Sequence, residues 1–286
     1  CYSFDATVWL DSITISNCRA STDWFYAQEA GASINIGTRL AGAAAGAGAT
    51  SSPTVSTGGS GVSYVAAGTA YAASVADSAT FQPALPAGIQ SGDILILVWG
   101  SGGNATGPGD QRVGGLSGWT SFAYTGSGFG AGAGFLDATI WYRRATGSDS
   151  APTLTAHGDD GEGPIATYNV ARIYAFRGCI GSGSPIDATP AGNGGTGTSI
   201  TGSSVTTATA NAMVVALGGN AVPASVTYSA PGASVDTIVS ASSANGSQFM
   251  AYDASPSNSA GAKSAPTLSG SLSANWSDCT FALKPA

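Results

Sequence analysis

The side chains that could perform acid, base or metal chemistry are few, and several of them lie in one short segment. The chain has a single histidine, His157, followed closely by Asp159, Asp160 and Glu162. A Ser-His-Asp hydrolase would have to use this histidine with a nucleophilic serine held in a sharp turn, and no Gly-x-Ser-x-Gly motif occurs. We therefore interpret His157 as a surface-loop residue, between Ala156 and Gly158.

The three acids of this segment could instead supply oxygen ligands to a calcium ion. A calcium loop of the EF type needs acids at alternate positions and a bidentate glutamate further along, a spacing that is missing here. Solvated acids on a turn are the simpler interpretation. Asp159, Asp160 and Glu162 are thus the one weak metal hypothesis, and we expect no other cofactor.

Glycoside hydrolysis would require two carboxylates on either side of the scissile bond. The chain has only two glutamates, Glu29 and Glu162, and a segment of low complexity separates them. The aspartates stand in turn-like settings, and nothing singles out a pair of them. We therefore expect a protein that is not an enzyme.

Two tryptophans suggest another kind of site, a surface on which sugar rings stack. Trp99 ends an apolar stretch just before a glycine-rich loop, and Trp119 lies in a Gly-Trp-Thr turn. Residues at strand ends often meet ligands. Packing inside a β-sheet core is the competing interpretation for both rings, and the sequence leaves the two open.

The composition indicates which elements must position such residues. Glycine makes up 42 of the 286 residues, charged residues are only 9% and hydrophobic residues are 43%. Because helix-favouring Glu and Lys are scarce and the apolar fraction suffices for a core, the chain fits neither a helical nor a disordered protein. The sequence predicts an all-β fold made of short strands and tight turns.

Charge and hydropathy exclude two classes of partner. The net charge is −7, and the nine Lys and Arg residues are scattered, which argues against a surface that follows nucleic-acid phosphates. The longest apolar run, residues 94–99, is far shorter than the roughly 20 residues that a membrane-spanning helix needs. We therefore expect no nucleic-acid partner and no membrane span.

Three segments differ in composition. Residues 1–40 contain three β-rich stretches, residues 41–61 consist almost wholly of Ala, Gly, Ser and Thr, and residues 62–286 are patterned throughout. A segment like 41–61 cannot bury enough surface to order itself. The sequence predicts a short β-rich anchor, a flexible linker and one large β-sandwich head.

Within the head, three short motifs recur in the same order. SAPTL at 150–154 returns at 264–268, GDILILV at 92–98 resembles NAMVVAL at 211–217, and IYAFRG at 173–178 resembles TFALKP at 280–285. In so biased a composition a single match could arise by chance, but the shared order favours a duplication. The head is predicted to be a jelly-roll-like β-sandwich of two similar halves.

The four cysteines permit two disulfides in three pairings, and free buried thiols are the alternative. If the closing strands of the two halves pair antiparallel and in register, Cys179 lies opposite Cys279. Cys1 would then pair with Cys18. Neighbouring strands supply the Cα separation of roughly 4.4–6.8 Å that a disulfide requires.

One ordered series of motifs carries a family resemblance. Its members are PALPAGIQSGDILIL at 83–97, GWT at 118–120, WYRRATGSD at 141–149, ARIYAFRG at 171–178, SPID at 184–187 and ALKPA at 282–286. The series resembles a β-sandwich module of tailed-phage virion proteins, among them tail-fibre, minor structural and capsid decoration proteins. The match spans most of residues 62–286, and its motifs are structural rather than catalytic.

The resemblance implies a non-enzymatic structural protein, exposed on the virion surface and therefore extracellular. Residues 1–40 do not match the module, and we expect them to attach it to other virion proteins. Unpaired strand edges there favour a homo-oligomer, and host surface glycans are a further expected partner. The alternative is a secreted carbohydrate-binding β-sandwich module that uses Trp99 and Trp119.

Overall fold

The computed structural model describes residues 61–75, 79–102, 116–125, 137–155, 167–221, 226–230, 234–239, 246–253 and 259–286. All of them belong to one compact unit, Gly59–Ala286, which is distinct from Cys1–Gly58. The predicted anchor and nearly all of the predicted linker lie outside the described residues. Their roles stay predictions.

The described residues form sixteen β-strands and no helix, which confirms the all-β prediction. The first half contains β1 Ser63–Ala67, β2 Tyr71–Val75, β3 Thr80–Phe81, β4 Ile94–Gly102, β5 Thr120–Thr125, β6 Asp137–Arg144, β7 Leu154–Thr155 and β8 Thr167–Arg177. The second half contains β9 Ile186–Thr201, β10 Val205–Thr207, β11 Met213–Ala221, β12 Tyr228–Ser229, β13 Ser234–Val239, β14 Gly246–Tyr252, β15 Gly261–Lys263 and β16 Thr267–Leu283.

Each half builds its own six-stranded antiparallel sheet. The first sheet has the order β1-β8-β4-β6-β5, with β2 also pairing with β8. The second has the order β12-β16-β11-β14-β13, with β9 also pairing with β16. Two short pairs, β3 with β7 and β10 with β15, complete the ladders. The strand that closes each half thus lies inside its sheet, next to the half's main apolar strand.

The residue register repeats between the two sheets, which confirms the similar halves. Ile94 of β4 opposes Phe176 of β8, and Met213 of β11 opposes Leu283 of β16. Ile94 and Met213 are 119 residues apart in the sequence, and Phe176 and Leu283 are 107 residues apart. The same two offsets hold along the whole of both ladders. Equivalent positions in the two halves can therefore be compared one by one.

The repeated SAPTL motif occupies equivalent places too. Leu154, its last residue in the first copy, pairs with Phe81, and Leu268, its last residue in the second copy, pairs with Ile200. All four of these side chains are buried. In both halves the motif therefore ends in a buried leucine that begins or continues a strand pairing.

The strand β4 is apolar on both of its faces because both faces are covered. Ile94, Ile96 and Val98 belong to a core cluster shared with β11, β14 and β16 of the second sheet. Leu95 and Leu97 alternate with them and belong to a second cluster on the opposite face. Two sheets thus pack face to face around a shared core, consistent with a β-sandwich, and each carries a further apolar layer outside.

The expected pairing of the closing strands is wrong. β8 and β16 each have hydrogen-bonded neighbours on both sides within their own sheets, and Cys179 makes only an isolated bridge to Pro285. Cys279 instead lies between Leu217 of β11 and Gly192 of β9. Cys179 and Cys279 are both buried free thiols, so the predicted disulfide between them is absent. Because each strand is interior to its own sheet, neither has an edge to offer the other.

Candidate functional site

Trp99, one of the two expected stacking rings, is a core residue. Its side chain is 3% exposed, and its indole nitrogen donates a buried hydrogen bond to Oδ1 of Asn169 over 2.8 Å. The ring stacks against Trp141 with centroids 6.2 Å apart, and Phe81 meets it edge-on at 5.3 Å. With its polar atom paired and its ring packed against two others, Trp99 fits the core interpretation.

Trp119 is also buried, with 8% of its surface exposed. The guanidinium of Arg143 lies 4.9 Å from its ring centroid, and Asp149 holds that guanidinium through an ion pair of 2.7 Å. The second carboxylate oxygen of Asp149 accepts hydrogen bonds from the backbone of Thr146 and Gly147. A cation fixed in this way covers the ring face that a sugar would need, so the core interpretation also fits Trp119.

The remaining predicted site residues lie outside the described part of the chain. They are His157, Asp159, Asp160, Glu162, Cys1 and Cys18. Within the described ranges, no group of three or more His, Cys, Asp or Glu side chains lies close enough to hold a metal ion. The calcium hypothesis and a bond between Cys1 and Cys18 therefore stay predictions.

The first half contains an ion pair with a buried carboxylate, which sequence reasoning did not single out. Arg177 at the end of β8 reaches both carboxylate oxygens of Asp93 at 2.9 and 2.8 Å. Asp93 also accepts a hydrogen bond from the backbone of Gln90, while Arg177 donates to the carbonyl of Gly88. The hydrogen bond to Asp93 raises the pKa of Arg177. The pair fastens the turn before β4 to the end of β8, which is a structural role.

The second half contains the one buried carboxyl group of the described residues that lacks a cation. Asp278 of β16 is 1% exposed. Its Oδ2 accepts a hydrogen bond from the Thr280 hydroxyl over 3.0 Å, while its Oδ1 has no partner. Burial raises the pKa of Asp278 to about 6, although the Thr280 hydroxyl and a backbone hydrogen bond from Asn193 oppose this rise.

Comparison with the first half shows how unusual this position is. By the 107-residue offset of β8 and β16, Asp278 and Thr280 stand where the first half has Ala171 and Ile173. Both of those residues belong to the outer apolar cluster of the first sheet. The second half therefore has a carboxyl group and a hydroxyl group at two positions where the first half has apolar side chains. Aligning the two halves in the sequence is the signal that could have found them.

Glycines let the backbone approach this carboxyl group. A Cβ on Gly202 would lie 2.5 Å from Oδ2 of Asp278 and 2.8 Å from Oγ1 of Thr280. Gly218 of β11, at the position equivalent to Trp99, is crowded in the same way by Phe249 and by the backbone of Ser277 and Asp278. The second half thus has a thinner outer layer that closes directly over Asp278.

The chemistry open to this arrangement is the uptake and release of one proton. A nucleophilic or metal-assisted reaction needs several converging groups, whereas the groups packed on Asp278 are a hydroxyl, backbone and small side chains. The nearby indole nitrogen of Trp276 is also buried and without a partner.

No protein-family model, curated protein or solved structure matches the chain. In the part of the chain that the structure describes, none of the elements is a helix long and apolar enough to cross a membrane.

Proposed function

We propose that the chain is a non-enzymatic structural protein on the surface of a phage virion, either a capsid decoration protein or a tail-fibre component. The supporting observation is the use that the fold makes of the motifs that carry the resemblance. Asp93 and Arg177, from two of these motifs, form one ion pair in which the carboxylate is buried. Arg143 and Asp149, from a third, form another. These charged residues of the motifs hold strands and turns together, which supports a structural module.

The described surface suits a protein that stays folded outside a cell. Among the described residues, Leu272 is the one large hydrophobic side chain that is exposed. Exposed strand positions are mostly Ser, Thr, Gly and Asn, as in β9. In this proposal the head, residues 62–286, projects from the particle, and residues 1–40 attach it to other virion proteins and support a homo-oligomer.

The competing proposal, a secreted carbohydrate-binding module, loses its main support in the fold. It relied on Trp99 and Trp119 as open stacking platforms, and both rings are packed in the core. Binding to host surface glycans, if it occurs, would have to use other residues.

Mass spectrometry of density-purified particles tests the proposal. Particles from a host that expresses the chain should contain its peptides at a constant ratio to the major capsid protein across the density peak. Particles from a strain with the coding sequence deleted serve as the control. Peptides that stay in the soluble fraction and never band with particles would contradict a virion location.

A further inference from the structure

The carboxyl group of Asp278 is buried without a counter-ion. Burying a charged group in this way lowers the stability of the folded protein. Moving an ionised carboxylate out of water is costly unless it is paired and hydrogen-bonded. One oxygen of Asp278 has the Thr280 hydroxyl and the other has no hydrogen-bond partner. The ionised form is therefore poorly accommodated, while the neutral acid costs less to bury.

The turn that follows β9, residues 202–204, closes over this group and is here called the cover turn. Gly202 lies so near the carboxyl group that a Cβ at this position would come within 2.5 Å of Oδ2 of Asp278. Ser203 donates its hydroxyl to the carbonyl of Gly192 over 3.1 Å, and Asn193 donates its side-chain amide to the carbonyl of Thr201 over 2.8 Å. The cover turn is thus tied to β9, the strand that pairs with β16 beside Asp278.

The elements packed around Asp278 bring no positive charge to it. β9 contributes Asn193, β11 contributes Gly218, the cover turn contributes Gly202, and Ala265 precedes β16. β14 contributes the Phe249 ring beside Gly218.

Two ionisable groups on elements near the cover turn make other contacts. Asp187 of β9 accepts hydrogen bonds from the backbone of Ala208 and Thr209. Lys263 of β15 donates to the carbonyl of Ser259. The Cys279 thiol belongs to the shared core between the sheets, where burial and the charge of Asp278 raise its pKa to about 12.

We propose that Asp278 is a pH-responsive element of the second half: its neutral acid form holds the cover turn against β16, and its ionisation loosens that contact. Mildly acidic solution therefore tightens this region, whereas neutral solution weakens it. Nothing in this inference depends on the virion location, since it concerns the fold alone.

The direction follows from proton linkage. Burial raises the pKa of Asp278 from 3.8 in an exposed chain to about 6 in the folded protein. Below pH 3.8 Asp278 is protonated in both the folded and the unfolded protein, and the neutral acid makes its full contribution to stability. Between the two values unfolding releases a proton, so stability falls as the pH rises, and above about 6 the contribution is lost. A difference of about two pKa units corresponds to about a hundredfold in the folding equilibrium constant.

Hydrogen exchange of the full chain tests the proposal locally. After correction for the pH dependence of intrinsic exchange, peptides covering 186–204 and 276–283 should lose protection about tenfold between pH 5 and pH 7.5. The variant Asp278→Asn should show no such loss, and Asp253→Asn, a partly exposed carboxylate of the same half, should behave like the unmodified chain. Equal pH dependence in the unmodified chain and in Asp278→Asn would overturn the proposal.

A second variant keeps the test decisive if Asp278→Asn fails to fold. Thr280→Val removes the hydroxyl that favours the ionised carboxylate, so the loss of protection should move to higher pH. Carbon-13 NMR titration of the aspartate carboxyl groups in the unmodified chain gives an independent value. A carboxyl signal of Asp278 that titrates near or below pH 4 would overturn the inference.

Discussion

Trp99 and Asn169 occupy neighbouring strands of the first sheet and share a buried hydrogen bond of 2.8 Å between indole nitrogen and amide oxygen. The positions equivalent to them in the second sheet hold Gly218 and Trp276. The second sheet thus has its indole on β16, the equivalent of β8, and the nitrogen of that indole lacks a hydrogen-bond partner. The two halves share one pattern of strand pairing and fill their outer layers differently.

Asn169→Ala should destabilise the protein through this hydrogen bond. The indole N–H of Trp99 would stay buried without an acceptor, a loss of about 1–3 kcal/mol in the free energy of unfolding. Urea unfolding of the variant, of Trp99→Phe and of the double variant gives the coupling between the two side chains. A coupling energy near zero would show that the bond contributes nothing to stability.

Asp93→Asn should weaken the attachment of β4 to β8. The variant loses the carboxylate that Arg177 binds through two nitrogens and leaves the guanidinium without its charged partner. Because the Arg177 side chain is 39% exposed, water screens part of the lost attraction, and we expect a modest decrease in the free energy of unfolding. The midpoint of chemical unfolding measures the effect. A midpoint equal to that of the unmodified chain would contradict the structural role of the pair.

Gly218→Ala should be strongly destabilising because the site has no room for a methyl group. An added Cβ would meet the Phe249 ring at 2.5 Å and the carbonyl oxygen of Ser277, and overpacking of this kind costs about 1–3 kcal/mol or more. Gly181→Ala is the matched control, since a Cβ there meets nothing within 4 Å. Thermal unfolding should separate the two variants clearly, and equal melting temperatures would contradict the close packing over β11.

The thiols of Cys179 and Cys279 should not react in the folded protein. Burial raises the pKa of each to about 12, and the thiolate is the reactive form. Alkylation under native conditions should therefore leave both unmodified, while alkylation in denaturant without reductant should modify both. A non-reduced peptide that links Cys179 to Cys279 would contradict the arrangement of the closing strands.

The fold class and the duplication were within reach of the sequence because they leave local signals. Alternation and glycine-rich turns indicate strands, and the recurring SAPTL motif marks the same place in both halves. The sequence could not show that β8 and β16 do not pair with each other. No local pattern indicates that each strand already has partners on both sides in its own sheet. Trp99 was ambiguous for a similar reason: only the covering layer, which comes from distant β3, decides whether the ring is open.

Asp278 shows the other limit of sequence reasoning. Its neighbours Ser277 and Cys279 give no indication of burial, and an aspartate in a strand reads as a solvent-facing residue. Only the alignment of β16 with β8 shows that Asp278 is equivalent to Ala171 of the first half, which lies in an apolar layer. The duplication is therefore also the best guide to where the second half departs from the first.

Immunogold electron microscopy of purified phage particles, with antibody raised against residues 62–286, tests the central proposal most directly. The account predicts gold at a regular position on the particle: over the capsid for a decoration protein, or at the tail for a fibre component. Particles lacking the coding sequence should show none. Label that appears only on the bacterial surface, and on no particle, would contradict the virion proposal and favour a secreted binding module.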